Sequence, residues 1–295
     1  MNKQWTILEA LDWTEQRLAR EQEENPRLAA QMLAAFATGL TRIELYTSFD
    51  KPLSDNERSK LRQSIQRRLE GEPLQYIIGS TGFRHLELKV RPPVLIPRPE
   101  TELLVELVLE QAANRGQKEL HILEIGTGTG AIALALLTEL PACQVIATDI
   151  DGSAIALAKE NAAACDFDEQ RLELRIDDLA SSLLARENYH HSFDAVVSNP
   201  PYIPTAEYEQ LPDEIRHFES RGALDGGEDG LAVFRELAKQ AATLLKGGGL
   251  LAMELHEQML EEAAASLQCL PFFGVQIHPD LTARPRFLTA LRGEV

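Results

Sequence analysis

The chain has 295 residues, enough for one large domain or two ordinary ones. Hydrophobic residues make up 44% and charged residues 25%, as in soluble globular proteins, and no apolar run approaches the ~20 residues of a membrane span. The net charge of −17 is uneven. Residues 1–100 hold 15 Lys and Arg against 14 Asp and Glu, whereas residues 101–295 hold 14 against 32, a net charge of −18. Such an acidic second half argues against tight binding to a phosphate backbone, which needs clustered Lys and Arg.

The N-terminus and the cysteines further narrow the class of protein that the sequence can encode. The polar N-terminus lacks the apolar core of a signal peptide, so we expect a cytoplasmic protein. The three cysteines are odd in number and far apart, without a CxxC pair, and this argues against a disulfide framework and against structural zinc. The adjacent pair His190-His191 lies in a polar stretch and is predicted to be a solvated loop. We therefore expect no metal.

Residues 1–70 are predicted to form a small helical domain. Apolar residues recur at helical spacing from Ile7 to Leu18. Asn25 followed by Pro26 is typical of the start of a second helix, and Gly39 of its end. Two further helices are predicted from capping-box spacings, which are Thr41 with Glu44 and Ser54 with Glu57.

Residues 71–100 are predicted to be a hairpin-like connector between two domains. Glycines and prolines interrupt any helix in this stretch. The run Leu86–Val90 alternates apolar and polar residues, as a short exposed strand does. A helix is then predicted to begin at Glu100.

Residues 101–295 alternate predicted helices and strands. This alternation indicates an α/β domain with a doubly wound, mostly parallel sheet of the Rossmann-like type, with an antiparallel strand near the end. The predicted strands are His121–Ile125, Gln144–Thr148, Leu172–Ile176, Asp194–Ser198, Leu250–Glu254, Gly274–His278 and a last one near Arg286–Leu291.

A glycine-rich turn follows the first strand of this region. The run Gly126-Thr127-Gly128-Thr129-Gly130 links the strand to an apolar helix, and glycines let a ligand approach the backbone closely. Asp149 closes the next strand, where a carboxylate accepts both ribose hydroxyls of a nucleoside. A dinucleotide such as NAD and S-adenosylmethionine both fit this pattern, and the GxGxG spacing favours the second.

The tetrapeptide Asn199-Pro200-Pro201-Tyr202 follows the apolar strand that ends at Ser198. Open α/β sheets bind ligands at the carboxyl ends of their strands. The prolines remove backbone donors and stiffen the chain, Asn199 adds a side-chain carbonyl, and Tyr202 adds a flat face. Such a group suits a planar –NH2, as in a carboxamide or an exocyclic base amine. The alternative is a simple Pro-Pro turn in which Tyr202 only packs against its neighbours. If the segment does hold an amine, S-adenosylmethionine is favoured over NAD as the cofactor, because a dehydrogenase has no use for such a site.

Two acidic residues, Asp177 and Asp178, end the third strand. A side chain there reaches the adenine amine of a bound nucleoside. The alternative for Asp178 is a helix cap before Leu179.

Several further motifs carry a resemblance that covers nearly the whole chain. They are Gly71-Glu72-Pro73-Leu74-Gln75-Tyr76, Leu95-Ile96-Pro97-Arg98-Pro99-Glu100-Thr101-Glu102, the Gly126–Gly130 loop, Asn199-Pro200-Pro201-Tyr202-Ile203, Ala223-Leu224-Asp225-Gly226-Gly227 and Lys246-Gly247-Gly248-Gly249-Leu250. With the helical N-terminal region, these motifs resemble the HemK/PrmC family, the N5-glutamine methyltransferases of class 1 peptide chain release factors.

The resemblance implies a function and a set of site residues. The helical domain would recognise the substrate, and residues 101–295 would transfer a methyl group from S-adenosylmethionine to the glutamine of a Gly-Gly-Gln loop, leaving S-adenosylhomocysteine. Neither a membrane nor direct nucleic-acid binding is expected. The cofactor would be bound by Gly126, Thr127, Gly128, Thr129, Gly130, Asp149, Asp178, Leu179 and Asn199, and the glutamine amide would be framed by Asn199, Pro200, Pro201 and Tyr202.

Two positions depart from the family pattern. Leu179 stands where the family often has an aromatic residue, and Ser220 follows Glu219 where a proline is common. Two other functions stay open from the sequence. One is a nucleic-acid adenine-N6 methyltransferase, since Asn-Pro-Pro-Tyr also suits an exocyclic amine. The other is a non-catalytic module that only binds S-adenosylmethionine.

Overall fold

The computed structural model describes residues 5–116, 119–165 and 169–294. Within them the chain forms two compact units. The first runs to Ser80 and also takes in Asp213–Phe218, and the second begins at Thr81 and holds the remaining residues. The domain limits predicted at residues 70 and 100 remain predictions. Among the described helices, none is long and apolar enough to cross a membrane.

The first unit is helical, as predicted. Capping boxes at Thr41 and at Ser54 begin α3 and α4, and Gly39 ends α2 in the left-handed conformation. Asn25 precedes the start of α2 as predicted, but its side chain caps no helix N–H. Its backbone ψ of 67° lies outside the extended region that an N-cap side chain needs. The helices are α1 (Ile7–Arg20), α2 (Pro26–Thr38), α3 (Arg42–Thr47), α4 (Asp55–Leu69) and α5 (Leu74–Ile78).

A two-stranded hairpin follows, made of β1 (Ser80–Phe83) and β2 (Leu86–Lys89). Phe83 and Leu88 are fully buried against the apolar face of α6 (Thr101–Asn114). Alternate residues of β2 therefore face the core of the second unit, so only one face of the strand is exposed.

A seven-stranded sheet forms the centre of the second unit, in the order β5-β4-β3-β6-β7-β9-β8. The first five strands of that order are parallel, and β9 is antiparallel to both of its neighbours, which confirms the predicted fold class. The strands are β3 (His121–Ile125), β4 (Gln144–Asp149), β5 (Leu172–Ile176), β6 (Phe193–Ser198), β7 (Leu245–Glu254), β8 (Phe272–Pro279) and β9 (Pro285–Arg292).

Helices cover both faces of this sheet, which explains the nearly continuous apolar runs of its central strands. In β3, Ile122 faces one buried cluster and Leu123 the other, and each such side chain contributes ~1.5–3 kcal/mol by leaving water. The helices after α6 are α7 (Ala131–Glu139), α8 (Gly152–Ala164), α9 (Ser181–Leu184), α10 (Thr205–Tyr208), α11 (Asp213–Phe218, in the first unit), α12 (Ala232–Leu244) and α13 (Leu260–Leu267), with short 3-10 turns at Glu169–Arg171, Glu187–Tyr189 and Arg221–Ala223.

The β7 strand begins earlier than predicted, at Leu245 and not at Leu250. Leu245 pairs with Phe193, and the register then shifts so that Leu250 pairs with Ala195. The glycine run between them forms an irregular part of the strand, where Gly248 has a φ of 73°.

The loop after the 3-10 turn at Arg221–Ala223 supports the chain that follows β6. The N–H of Ile203 donates to the carbonyl of Leu224 at 2.9 Å, and the N–H of Gly226 donates back to Ile203 at 2.8 Å. A Cβ on Gly230 would lie 2.4 Å from the carbonyl oxygen of Tyr202, and Gly230 has a φ of 75°. The close approach of the two segments therefore requires glycine.

We expect Gly230→Ala to lower the free energy of unfolding by about 1–3 kcal/mol, because the new methyl group both strains the backbone and displaces the Tyr202 carbonyl. Urea unfolding measures the change. Gly82→Ala is the matched control, since Gly82 has an ordinary φ and open space around its Cβ position. Equal stability of the two variants would contradict the packing described.

Candidate active site

A cavity of about 320 Å³ opens in the second unit at the carboxyl ends of β3, β4, β5 and β6. This is the edge where open parallel sheets bind their ligands. It is lined by Val94, Leu95, Ile125, Gly126, Gly128, Thr148, Asp149, Ile150, Asp151, Ala154, Asp177, Asp178, Leu179, Ser198, Asn199, Pro200, Pro201, Ser220, Gly222, Ala223, Val233 and Leu237.

The glycine loop folds over the end of β4. The N–H groups of Gly126 and Thr127 both donate to the carbonyl of Thr148, at 2.8 and 2.9 Å. Gly126 and Gly128 have φ values of 77° and 55°, which glycine adopts without strain, and both line the cavity.

The other three residues of the predicted loop lie behind this surface. Thr127 and Thr129 are buried and do not line the cavity. A Cβ on Gly130 would lie 3.2 Å from the Cβ of Ala158, so this glycine lets α7 approach α8 closely. These residues shape the loop from the inside.

Glu124, the last residue but one of β3, is buried directly beneath the loop, and it is not among the predicted site residues. Its Oε2 accepts hydrogen bonds from the Thr127 hydroxyl at 2.7 Å and from the N–H of Ala133 at 3.1 Å. Its Oε1 is buried and has no hydrogen-bond partner within the described residues. Burial raises the pKa of this carboxyl to about 8. A charged residue within an apolar strand that ends at a glycine turn is the signal that could have identified it.

Asp149 ends β4 at the edge of the cavity, as predicted. The N–H of Gly128 donates to its Oδ2 at 2.8 Å, and the N–H of Asp151 donates to its Oδ1 at 2.9 Å. Burial raises the pKa of its carboxyl. Each oxygen keeps a lone pair for a further donor. Ile150, which is exposed, lines the cavity beside it.

Asp178 and Leu179 both line the cavity after β5. The side chain of the neighbouring Asp177, and not that of Asp178, bonds the next helix, because the Asp177 carboxylate accepts from the N–H and the hydroxyl of Ser182. Asp178 is exposed, so its carboxylate is accessible from the cavity. Leu179 has a φ of 53°, unusual for a branched side chain, and its carbonyl accepts from the Thr148 hydroxyl at 2.7 Å.

The Asn-Pro-Pro-Tyr segment follows β6, which pairs with β3 on the side opposite to β4. Asn199, Pro200 and Pro201 line the cavity, whereas Tyr202 does not and packs against the core beneath, with its ring 6.5 Å from that of His256. Burial, with the nearby charge of Glu254, raises the pKa of the Tyr202 phenol to about 12. The phenol is therefore neutral at physiological pH.

Two polar residues outside the predicted site, Thr101 and Glu254, lie behind Asn199. The Asn199 Nδ2 donates to the Thr101 Oγ1 at 3.2 Å, and the Thr101 hydroxyl donates to the Glu254 Oε2 at 2.7 Å. Burial raises the pKa of the Glu254 carboxyl to about 7. Thr101 lies within the motif at residues 95–102, and Glu254 ends an apolar strand next to β6, but neither position alone indicates this contact.

The raised pKa of Glu124 predicts a pH-dependent stability. Its pKa of about 8 in the folded protein lies above the ~4.3 of an unfolded glutamate, so the folded state holds the proton more tightly. This contribution to stability is present below about pH 4 and is lost as the pH rises towards 8, with a slope of up to about 1.4 kcal/mol per pH unit.

We therefore expect Glu124→Gln to flatten the decline of the unfolding free energy between about pH 5 and 8, as measured by urea unfolding. Some decline should remain, because burial also raises the pKa of Glu254. Glu257→Gln, at an exposed position, is the control for the substitution. An unchanged slope in Glu124→Gln would show that Glu124 is ionised in the folded protein.

Two family models match the chain. The model described as the PrmC N-terminal domain matches residues 9–79, and the one described as the methyltransferase small domain matches residues 99–214. The second match contains the glycine loop, Asp149 and the Asn-Pro-Pro-Tyr segment.

Curated relatives match over most of the chain. A release factor glutamine methyltransferase of Geobacter sulfurreducens is 43% identical over 85% of this chain and 84% of its own length. A release factor glutamine methyltransferase of Moorella thermoacetica is 40% identical over 98% of this chain and 99% of its own length. The human MTRF1L release factor glutamine methyltransferase is 38% identical over 92% and 80%.

Solved structures share the fold at low sequence identity. A methyltransferase from Pyrococcus furiosus aligns with a TM-score of 0.51 at 20% identity, over 71% of this chain and 90% of that one. The hMettl16 catalytic domain in complex with MAT2A 3′UTR hairpin 6 aligns with a TM-score of 0.55 at 14% identity, over 82% and 83%. Together with the extent of the curated matches, the methyltransferase fold and the motifs of the cavity show that the chain belongs to the release factor glutamine methyltransferase family.

Proposed function

We propose that the protein transfers a methyl group from S-adenosylmethionine to the side-chain amide nitrogen, N5, of the glutamine in the Gly-Gly-Gln loop of class 1 release factors. The product of the cofactor would be S-adenosylhomocysteine. The observation that carries this proposal is the placement of Asn199, Pro200 and Pro201 in the wall of the same cavity as Gly126, Gly128 and Asp149. A substrate amide and a nucleoside cofactor would therefore meet in one space. A release factor substrate also agrees with the cytoplasmic location expected from the sequence.

The residues around the cavity fit S-adenosylmethionine. Asp149 keeps lone pairs for the ribose hydroxyls, and Asp178 offers an acceptor for the adenine amine. Ile150 and Leu179 provide apolar surface for the adenine ring. The Glu124 Oε1 is buried beneath the glycine loop without a partner among the described residues, and in its ionised form, which a nearby positive charge favours, it would accept from an ammonium group. The predicted roles of Thr127, Thr129 and Gly130 are then indirect, since they hold the loop from behind.

The sulfonium of the cofactor supplies an activated methyl group, so the protein must present the acceptor nitrogen. An amide nitrogen is a weak nucleophile because its lone pair is delocalised into the carbonyl. The Asn199 side-chain oxygen and the Pro200 carbonyl would accept its two N–H bonds, which holds the nitrogen in place and favours pyramidalisation. Positioning of this kind contributes up to roughly 7–11 kcal/mol in favourable cases. Fixed acceptors also stabilise the positive charge that develops on the nitrogen, which then loses one proton to solvent to leave the N-methyl amide.

Tyr202 has no role as a base in this scheme, because its phenol is neutral with a pKa of about 12. We propose that it supports Pro200 and Pro201 from below. Asn199, Pro200 and Pro201 thus keep their predicted roles as a proposal, whereas Tyr202, which does not line the cavity, acts indirectly.

The proposed reaction can be tested with labelled S-adenosylmethionine, an unmodified release factor, a loop variant of that factor with Ala in place of the Gln, and duplex DNA. We expect label on the release factor alone, and none on the loop variant. Label on DNA would instead support the adenine-N6 alternative. Cofactor binding without label on any substrate would support the non-catalytic alternative.

Asn199→Ala tests the acceptor role of the side chain. We expect it to lower kcat by about 10²–10³-fold, as the loss of one preorganised hydrogen-bond partner does elsewhere. Asn188→Ala is the control for the substitution, because Asn188 is exposed in the 3-10 turn at Glu187–Tyr189 and does not line the cavity. Wild-type methyl transfer by Asn199→Ala would refute the clamp, provided that circular dichroism shows both variants folded.

The acidic charge of residues 101–295 predicts a salt effect on association. The Gly-Gly-Gln loop would be expected on a basic surface, because it normally meets ribosomal RNA, and opposite charges accelerate encounter. We expect kcat/KM for the release factor to fall as salt rises from about 50 to 300 mM, while kcat at saturating release factor changes little. A kcat/KM that does not change with salt would contradict electrostatic steering of the release factor towards this acidic surface.

A further inference from the structure

Thr101, Asn199 and Glu254 belong to three different elements that meet behind the cavity. Thr101 begins α6, Asn199 follows β6, and Glu254 ends β7, the parallel neighbour of β6. Only 5% of the Thr101 surface and 1% of the Glu254 surface are exposed. A buried chain of hydrogen bonds therefore runs from Asn199 through the Thr101 hydroxyl to the Glu254 carboxyl, over 3.2 and 2.7 Å.

The direction of this chain determines which way the Asn199 amide faces. The Thr101 hydroxyl has one proton, and it is donated to Glu254. The Thr101 oxygen is then only an acceptor, so it can pair with the NH2 of Asn199 but not with its carbonyl oxygen. Among the described residues, no group donates to the Asn199 Oδ1. That oxygen is left as an acceptor for a ligand in the cavity that Asn199 lines.

The orientation of the Asn199 amide must be fixed by hydrogen bonds, because the oxygen and the NH2 of a carboxamide have nearly the same shape. Packing alone does not distinguish the amide from its flipped form, and only a polar partner does. In the flipped form Asn199 would present its own NH2 to the NH2 of the substrate, and two donors would face each other. The acceptor proposed for the reaction would be lost without any change in the shape of the site.

We propose that Thr101 and Glu254 are positioning residues that fix the orientation of the Asn199 amide, so that its oxygen accepts from the amide or amine being methylated. The inference rests on the proposed function, because it concerns the same acceptor. In its ionised form Glu254 makes the chain directional, because a buried carboxylate can only accept the hydrogen bond of the Thr101 hydroxyl. The charged groups around Glu254 are Arg98 and Arg286, which favour its ionised form, and Glu100, which opposes it.

The test compares Thr101→Val with Thr101→Ser. Valine has nearly the same shape as threonine but neither accepts from Asn199 nor donates to Glu254, whereas serine keeps the hydroxyl. We expect Thr101→Val to lower kcat at least 10-fold while the Kd for S-adenosylmethionine stays within about twofold. We expect Thr101→Ser to recover at least a third of the wild-type kcat. A merely structural role would instead weaken cofactor binding and thermal stability along with kcat.

A second measurement does not depend on turnover. Protein labelled with 15N-asparagine gives side-chain NH2 signals, and the Asn199 pair is identified by its loss in Asn199→Ala. We expect the Asn199 pair to shift or broaden in Thr101→Val and to stay near its wild-type position in Thr101→Ser. An unchanged pair in Thr101→Val would overturn the inference, and so would a Thr101→Val kcat within twofold of wild type.

The two proposals fail in different ways. If the wild-type protein methylates no release factor, the proposed function is wrong, and the NMR comparison still decides whether Thr101 orients Asn199. If the wild type methylates the release factor and Thr101→Ser is as slow as Thr101→Val, the orientation proposal is wrong while the function stands.

Discussion

The pairing of β3 with β6 is the constraint on which the rest of the site depends. The two strands are parallel and in register, with Ile125 opposite Ser198, and the Ser198 hydroxyl donates to the Ile125 carbonyl at 2.6 Å. The glycine turn and Asn199 each begin one residue later, so they leave the sheet at the same height. The chain winds in opposite directions from this pair, towards β4 and β5 on one side and β7 on the other. A ligand bound over the glycine loop is therefore next to Asn199.

Buried carboxyl groups on β3 and β7, the two strands that flank β6, hold the segments around the cavity in their orientations. Glu124 on β3 bonds the glycine loop from below, and Glu254 on β7 bonds Thr101 behind Asn199. Burial raises the pKa of both, to about 8 and about 7. Each of these carboxyl groups costs stability when ionised, and each supports a segment at the cavity. The site thus combines an apolar sheet with a few polar groups whose hydrogen bonds are almost entirely assigned, as expected where orientation matters more than acid–base chemistry.

Much of the fold could be predicted because its signals are local. Apolar runs indicated all seven strands of the large sheet, and capping residues indicated where α3 and α4 begin. The start of β7 was misjudged because glycines weaken a strand pattern, although Leu245 completes its pairing with β6. The cavity residues next to glycines and prolines were also predictable, since strand ends and turns mark them. Thr101 was not, because it contacts partners 98 and 153 residues away, and only the folded chain brings these together.

The most direct test of the account is site-resolved mass spectrometry of a class 1 release factor after incubation with the protein and S-adenosylmethionine. We expect one added methyl group, on the side-chain amide of the glutamine in the Gly-Gly-Gln loop and on no other residue. A methyl group on a different residue, or an unmodified loop after complete cofactor binding, would contradict it.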